Sequence, residues 1–556
     1  MNRHPRPPRS GPVRPAYPPR PSRPRVTVDR DAGLADRLEA LDGRPFAAYR
    51  TLRGEHALDE FRLVLDQVPG DPATGPARAR IRLPLSNAGI PAAYGSDPVA
   101  RLACEDFLAR AAARAAETLL APEGHAAPGS GRIVVERPGP AIVERTSCRV
   151  LDGFAELRVA LDLPAWERTV RGRHARALLT EALPRFARAA LLLGSSRREE
   201  LEQHHRTVVE HREIREALRG RGLVAFVPDG AQLEGLRERC RAPDGRAVEF
   251  HVGGRTIRGL GIPGGVTLLV GGPRSGAPEV VRAIAAGTEP RPAGTPGHGV
   301  VAAEGAVEVA AEGGAESQRE RLRRALEGGA RVLLLDEDRS APAFLGRDPR
   351  LGRLLADQPV AGWTFADIAR DLDRTRGVAS IVAAEATGEL LGASDVVFVA
   401  MDGGIEDATE AARRGTAGSP TSRRFEPLES RSVTILSSPT GEDRRAELAG
   451  ASSLRVGGAR VTLPAFEPPL DDARRRGLAY ALARAAALGA EPIGVAELID
   501  TLERELDAGA LDTWGERRGD LARPPRSAIV EALYRLPSAR FQATRLERPS
   551  PPGGRP

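Results

Sequence analysis

Short, unbroken apolar runs separated by longer amphipathic stretches dominate the middle of the chain: VTLLV (266–270), RVLLLDED (331–338), GVASIVAAE (377–385) and DVVFVAM (395–401). Runs of four to six apolar residues bounded by glycine or acids predict strands buried on both faces. The segments between them carry apolar residues at helical spacing, Val280, Val281 and Ile284 among them. Alternation of this kind predicts an α/β fold with a parallel or mixed sheet covered by helices.

Upstream, residues 26–163 mix strand signals such as DEFRLVLDQV (59–68) with the helical run RLACEDFLARAAARAAETLL (101–120), and predict an N-terminal α/β domain. Residues 164–222 read as mainly helical and arginine-rich. LVAFVPDG (223–230) then reads as a buried strand entering a turn, so the core is placed at 164–412. Residues 413–455 are polar and rich in Gly, Ser, Pro and Arg, which reads as a linker. A small, mainly helical C-terminal domain is expected over 456–545, helical from Asp471 to Ala508, with a tail at 546–556. No repeat of 20 to 50 residues is present.

Candidate chemistry begins where the first of those strands ends. VGGPRSGAPEVV (270–281) lies between a strand and a helix, with Gly271 and Gly276 five positions apart. That is the glycine spacing of G-x-x-x-x-G-K-[ST], in which N–H groups cradle phosphates, the lysine neutralises them and the hydroxyl holds magnesium. Here Ala277 and Pro278 stand in the lysine and hydroxyl positions. Pro278 suits a helix start but removes an N–H from the cradle, as does Pro273 inside the loop. Asp336 and Glu337 end the next marked strand, in the chain order by which such folds deliver one acid to magnesium and its neighbour to the attacking water. Taken alone the run also reads as a strand ending in a solvated acidic turn. The glycine loop 60 residues upstream favours a nucleotide-type fold.

Composition narrows the classes. Over 556 residues, 41% are hydrophobic and 28% charged, the balance of a soluble globular chain. No apolar run approaches the roughly 18 residues of a membrane span, and the arginines and prolines of the N-terminus lack a signal-peptide core, so a cytoplasmic protein is expected. Cys104, Cys148 and Cys240 share no metal or redox spacing and read as small core residues. HHRTVVEH (204–211) reads as an exposed helix face rather than a metal site. Every basic residue is arginine. The net charge is +6, but residues 1–25 alone hold seven arginines and no acid, so the remainder carries −1. Any nucleic-acid affinity is therefore expected in this proline-rich basic tail.

Beyond these local patterns, the chain resembles the family of predicted ATPases of the ABC class over nearly its whole length. The resemblance rests on LDGRPFAAYRTLRG (41–54), FRLVLDQVPGDPATGPARAR (61–80), GLVAFVPDGA (222–231), GLGIPGGVTLLVGG (259–272), LLLDEDRSAPAFLGRD (333–348) and GDLARPPRSAIVEAL (519–533). It implies ATP and Mg2+ as cofactors: Gly271, Gly272 and Gly276 would cradle phosphate, Asp336 would hold the metal and Glu337 would act on the water. It also implies a composite site across two copies, hence a homodimer. The family's GKS triplet corresponds to Gly276, Ala277 and Pro278. Its signature-like SGSTSQ corresponds to residues 313–318, where Gly314, Ser317 and Gln318 match and Glu316 replaces a hydroxyl. Some tens of residues that the family carries before this segment are missing. These departures predict an ATPase-like protein with impaired hydrolysis. A nonenzymatic scaffold, or a nucleic-acid-binding protein acting through residues 1–25, is the other reading.

Overall fold

The computed structural model describes residues 33–119, 129–151, 153–272, 274–354, 362–402, 404–415, 424–425, 430–436 and 446–544. The tails 1–25 and 546–556, Pro273 and parts of the segment 413–455 lie outside the described residues.

At the centre is a six-stranded sheet built from the predicted apolar runs. Its strands, in chain order, are β1 (Val266–Val270), β2 (Ala306–Glu308), β3 (Val332–Asp336), β4 (Ala379–Ala384), β5 (Val396–Met401) and β6 (Gly404–Asp407). The spatial order is β2-β3-β4-β1-β5-β6, parallel except for the antiparallel edge strand β6. Period-two alternation sends successive residues to opposite faces. Among the helices beside the sheet are α1 (Ala277–Ala286), α2 (Ala315–Glu327) and α3 (Phe365–Arg376). Leu269, Leu334 and Phe398 pack with Val280 and Ile284 of α1 on one side, while Leu268, Leu335 and Val397 pack with Phe365, Ile368 and Leu372 of α3 on the other. Burial on both faces is why these strands read as unbroken apolar runs.

The strand Leu223–Pro228 joins a separate four-stranded antiparallel sheet with Ala247–Val252, Arg255–Pro263 and Val301–Ala302. A six-stranded antiparallel sheet forms the N-terminal body, with Ala77–Pro84 and Phe154–Asp162 paired along their length at its middle. In ARARIRLP the alternation is complete: Ala77, Ala79, Ile81 and Leu83 are buried in the core, and Arg78, Arg80 and Arg82 occupy the opposite face. At the C-terminal end, helices Asp472–Leu488, Val495–Asp507 and Arg526–Leu533 pack with two three-stranded sheets. The segment read as a linker contributes to both, since Ser430–Ile435 pairs with Ala539–Thr544, and Ala446–Leu448 with Ser453–Val456.

A buried arginine joins these bodies. Arg145 is 1% exposed, and its guanidinium bonds to Glu136 and, at 2.8 Å, to Asp471, with Asp106 at 3.8 Å. Asp471 caps the helix Asp472–Leu488 by accepting from the Arg474 N–H. Asp106, on the helix Pro98–Leu119, also meets His204 Nε2 at 3.0 Å. The histidine segment is therefore not an exposed face. His204 and His211 are buried, and His211 Nε2 sits 2.9 Å from the Gly287 carbonyl oxygen, joining the long helix Ser195–Gly220 to the end of α1. Burial, with the Arg215 cation adding to it, holds the His211 imidazole down to about 3, so it is neutral. The three cysteines are free and buried, as expected of core residues.

Arg145→Met should be strongly destabilising. Removing one partner of a buried ion cluster strands the others, which costs about 3–5 kcal/mol. The shift of the urea midpoint at unchanged slope reads it, and a shift no larger than that of an exposed Arg→Ala would show the cluster to be dispensable.

Candidate functional site

The sheet order fixes the geometry of the candidate site. β1 lies between β4 and β5, and β3 is one strand away across β4. The carboxyl ends of β1 and β3 therefore open onto the same edge, the place where open α/β sheets bind ligands. A cavity of about 240 Å3 lies there, lined by Gly271, Gly272 and Ala277 from the loop side, and Asp336 and Glu337 from β3. Four of the eight candidate site residues thus share one cavity.

Gly276 is the N-cap of α1 and adopts φ 97°, a left-handed conformation that glycine takes without strain. Gly271 is glycine for a different reason. A Cβ there would lie 2.1 Å from Ser275 Oγ, because the Ser275 side chain folds back into the loop. Its Oγ also accepts from the Ala277 N–H at 3.3 Å. The Ala277 N–H, which a phosphate cradle would use, is thus engaged by a hydroxyl of the loop itself, and Pro278 offers no N–H beside it. No Cβ placed on Gly272 would meet anything within 4 Å.

The two acids sit in opposite electrostatic settings. Burial lifts the Asp336 carboxyl above the ordinary aspartate range and the Asp338 charge adds to this, while the Asp338 N–H, Arg282 and Arg339 pull the other way. Burial also acts to raise Glu337, but hydrogen bonds outweigh it and hold this carboxyl low. Its Oε1 accepts from the Thr387 hydroxyl at 2.6 Å, and its Oε2 accepts from the Glu385 and Ala386 N–H groups at 2.5 and 3.0 Å. A carboxylate with both oxygens engaged and a depressed pKa is a weak base.

Gly314, Ser317 and Gln318 do not line this cavity. Gly314 is the N-cap of α2, and Gly314 and Ser317 are exposed. Gln318 is fully buried, donating to the Val309 carbonyl and Ser340 Oγ and accepting from the Ala341 N–H. It ties α2 to the segment that follows β3.

Sequence reasoning missed the cations. Arg274, Arg282 and Arg339 line the cavity alongside Glu279, Asp336, Glu337, Asp338 and Glu385, so carboxylates outnumber guanidiniums. Arg282 pairs with Glu279 at 2.5 Å, a one-turn spacing visible in the sequence. Arg339 is held by Glu308 at 2.6 Å and Glu467 at 3.0 Å, partners no local pattern reveals. Among the described residues no group of three His, Cys, Asp or Glu side chains is arranged to hold a metal. With Ala277 and Pro278 in the lysine and hydroxyl positions and carboxylates outnumbering guanidiniums around the cavity, the residues present do not fit a magnesium–triphosphate in this conformation.

Family comparison agrees with the architecture. Residues 32–194 match the model of the N-terminal domain of ATPases of the ABC class, and residues 197–319 and 313–434 match the model of their P-loop domain. The chain belongs to the ATPases of the ABC class. Within this ABC-class chain the two P-loop matches meet at residues 313–319, the segment containing Gly314, Ser317 and Gln318. No curated protein matches the chain. Among the described residues no helix is long and apolar enough to cross a membrane.

Glu308, which anchors Arg339, gives a pH test. It is 9% exposed, and burial pushes its carboxyl up to about 7 despite Arg339 and Arg321. A folded-state value above the unfolded 4.5 means the native state binds the extra proton, so this stability is present below pH 4.5 and lost as pH rises towards 7. Glu308→Gln should flatten the stability-versus-pH curve across that window. Parallel curves for the two proteins would remove Glu308 as the cause.

Proposed function

We propose that this chain is an ABC-class ATPase-fold protein whose site retains its shape but does not turn over ATP. The observation that carries the proposal is the engagement of Glu337 by Thr387, Ala386 and Glu385, which leaves no free base beside a loop whose Ala277 N–H is already taken by Ser275. By analogy with deletion of one oxyanion-hole donor, loss of the loop cation alone costs about 3 kcal/mol of transition-state stabilisation, roughly two decades in rate. In this reading Gly271 and Gly272 form the phosphate side of the pocket, and Gly276, which does not line it, turns the chain into α1. Asp336 would be the metal ligand in an active ancestor, and Gly314 and Ser317 form an exposed face for a second copy. Nucleotide, where it binds, acts as a weak ligand rather than a fuel. In this reading the P-loop core follows the N-terminal α/β domain, whose family match ends at 194, and precedes a C-terminal domain at 456–545. Family membership and the shared cavity favour this reading over a scaffold that uses only its basic tail.

Restoring the motif is the test. Native protein should show ATP turnover at background, whereas Ala277→Lys with Pro278→Ser should bind ATP at least tenfold more tightly in magnesium than in EDTA by calorimetry. Native turnover well above background that disappears in Glu337→Gln would overturn the proposal.

A further inference from the structure

Another concentration of charge, sharing no lining residue with the candidate nucleotide cavity, lies on the N-terminal sheet. Two adjoining hollows of about 750 and 520 Å3 meet at Glu516 and run along the strand Ala77–Pro84. Period two places Arg78, Arg80 and Arg82 in a row on that face, about 7 Å from one to the next. Arg158, directly opposite Arg80 on the neighbouring strand, completes the floor.

The floor is neutralised and rigid. Arg80 bonds to Asp66 at 2.6 Å and to Glu156 at 3.1 Å, Arg82 to Glu156 at 2.7 Å, and Arg158 to Asp512 at 2.6 Å. The rim is not neutralised. Arg50, Arg53 and Arg517 form no ion pair with any described residue, and Arg78 has Glu516, 3.8 Å away and 84% exposed, and the charge of Asp520, which is already paired with Arg518. Seven arginines thus face four carboxylates across the two hollows. The turn that overhangs the groove is itself strained: Glu516 and Arg517 adopt φ 49° and 61° in succession, left-handed values that neither side chain favours. Such strain is kept where a segment is held in place for a purpose.

We propose that this groove binds the sugar–phosphate backbone of single-stranded nucleic acid without sequence preference. The unpaired guanidinium forks of Arg50, Arg53 and Arg517 along the rim are the donors that would meet phosphates, above a floor fixed by its own ion pairs. Among the described residues no aromatic side chain lines either hollow, so bases are not stacked and the contact is electrostatic. The apolar lining among those residues is Val68 and Leu151 alone, which leaves no side-chain pockets of the kind a peptide ligand needs. The recessed floor, with Arg158 at 2% exposure, disfavours a flat membrane surface and the convex rim of a duplex. This groove lies in the folded body, whose net charge of −1 conceals it, and it is independent of the nucleotide reading.

The test uses the full-length protein and a fluorescent mixed-sequence 20-nucleotide DNA single strand, titrated by anisotropy from 50 to 300 mM NaCl. Arg50→Ala, Arg53→Ala and Arg517→Ala are combined, with Arg173→Ala, Arg185→Ala and Arg206→Ala as a charge-matched control on exposed helix positions that do not line the hollows. Single strands release about 0.7 counterion per neutralised phosphate, so the groove triple should shallow the log–log salt slope by about 2 and weaken binding at least tenfold at 100 mM. The control should match the native protein, and both variants carry the same basic tail. Equal losses in both triples, or in neither, would assign the affinity to general charge or to residues 1–25 and overturn the proposal. So would tighter binding of the matching duplex, or binding confined to anionic phospholipid vesicles.

Discussion

Arg145 is the constraint on which the arrangement of the bodies depends. A guanidinium at 1% exposure is tolerable only if its charge is answered, and the answers come from three places: Glu136 in the N-terminal body, Asp106 on the helix Pro98–Leu119, and Asp471 at the head of a C-terminal helix. Desolvation makes each of these groups costly alone and tolerable together. Glu136 also accepts from Ser147 Oγ, and Asp471 from the Gly139 and Arg474 N–H groups, so the carboxylates are satisfied beyond the arginine. The cluster selects one relative placement of the bodies flanking the P-loop core, because any other would leave buried charge unpaired.

The nucleotide cavity follows a related rule with a different outcome. Groups that a phosphate and a water would use are satisfied by the protein: Ser275 answers the Ala277 N–H, the 385–387 turn answers Glu337, and Glu308 with Glu467 answers Arg339. A ligand entering here competes with bonds already formed, and it meets more carboxylates than cations. The sheet, loop and acids are held in register here with their polar groups already bonded to one another.

The central sheet was legible because burial on both faces writes itself into unbroken apolar runs, and the loop because Gly271 and Gly276 keep a spacing that only a backbone cradle requires. What governs the site was not legible. Nothing near Glu337 announces that Thr387 will hold it, and nothing near Arg339 announces Glu308 or Glu467, because these pairs are made by strand order rather than by neighbourhood. HHRTVVEH misled for the same reason: its polarity suggested water, whereas Asp106, about a hundred residues earlier, and the Gly287 carbonyl receive His204 and His211 inside. Net charge is blind in another way, since summing over the body averages away the arginine row of ARARIR. The linker reading passed over strands too short and too polar to show a period.

Thr146 exchanges hydrogen bonds with Leu521, its N–H to the Leu521 carbonyl at 2.9 Å and its hydroxyl with the Leu521 backbone, across 375 residues of chain. A ribosome adding about 5–20 residues each second takes on the order of 20 to 75 seconds to cover that distance. For that interval the seat prepared by the N-terminal body stands open, with Arg145 beside it waiting for Asp471. The nascent chain carries an unfinished, charged surface through most of its synthesis, and the last fifth of the sequence closes it.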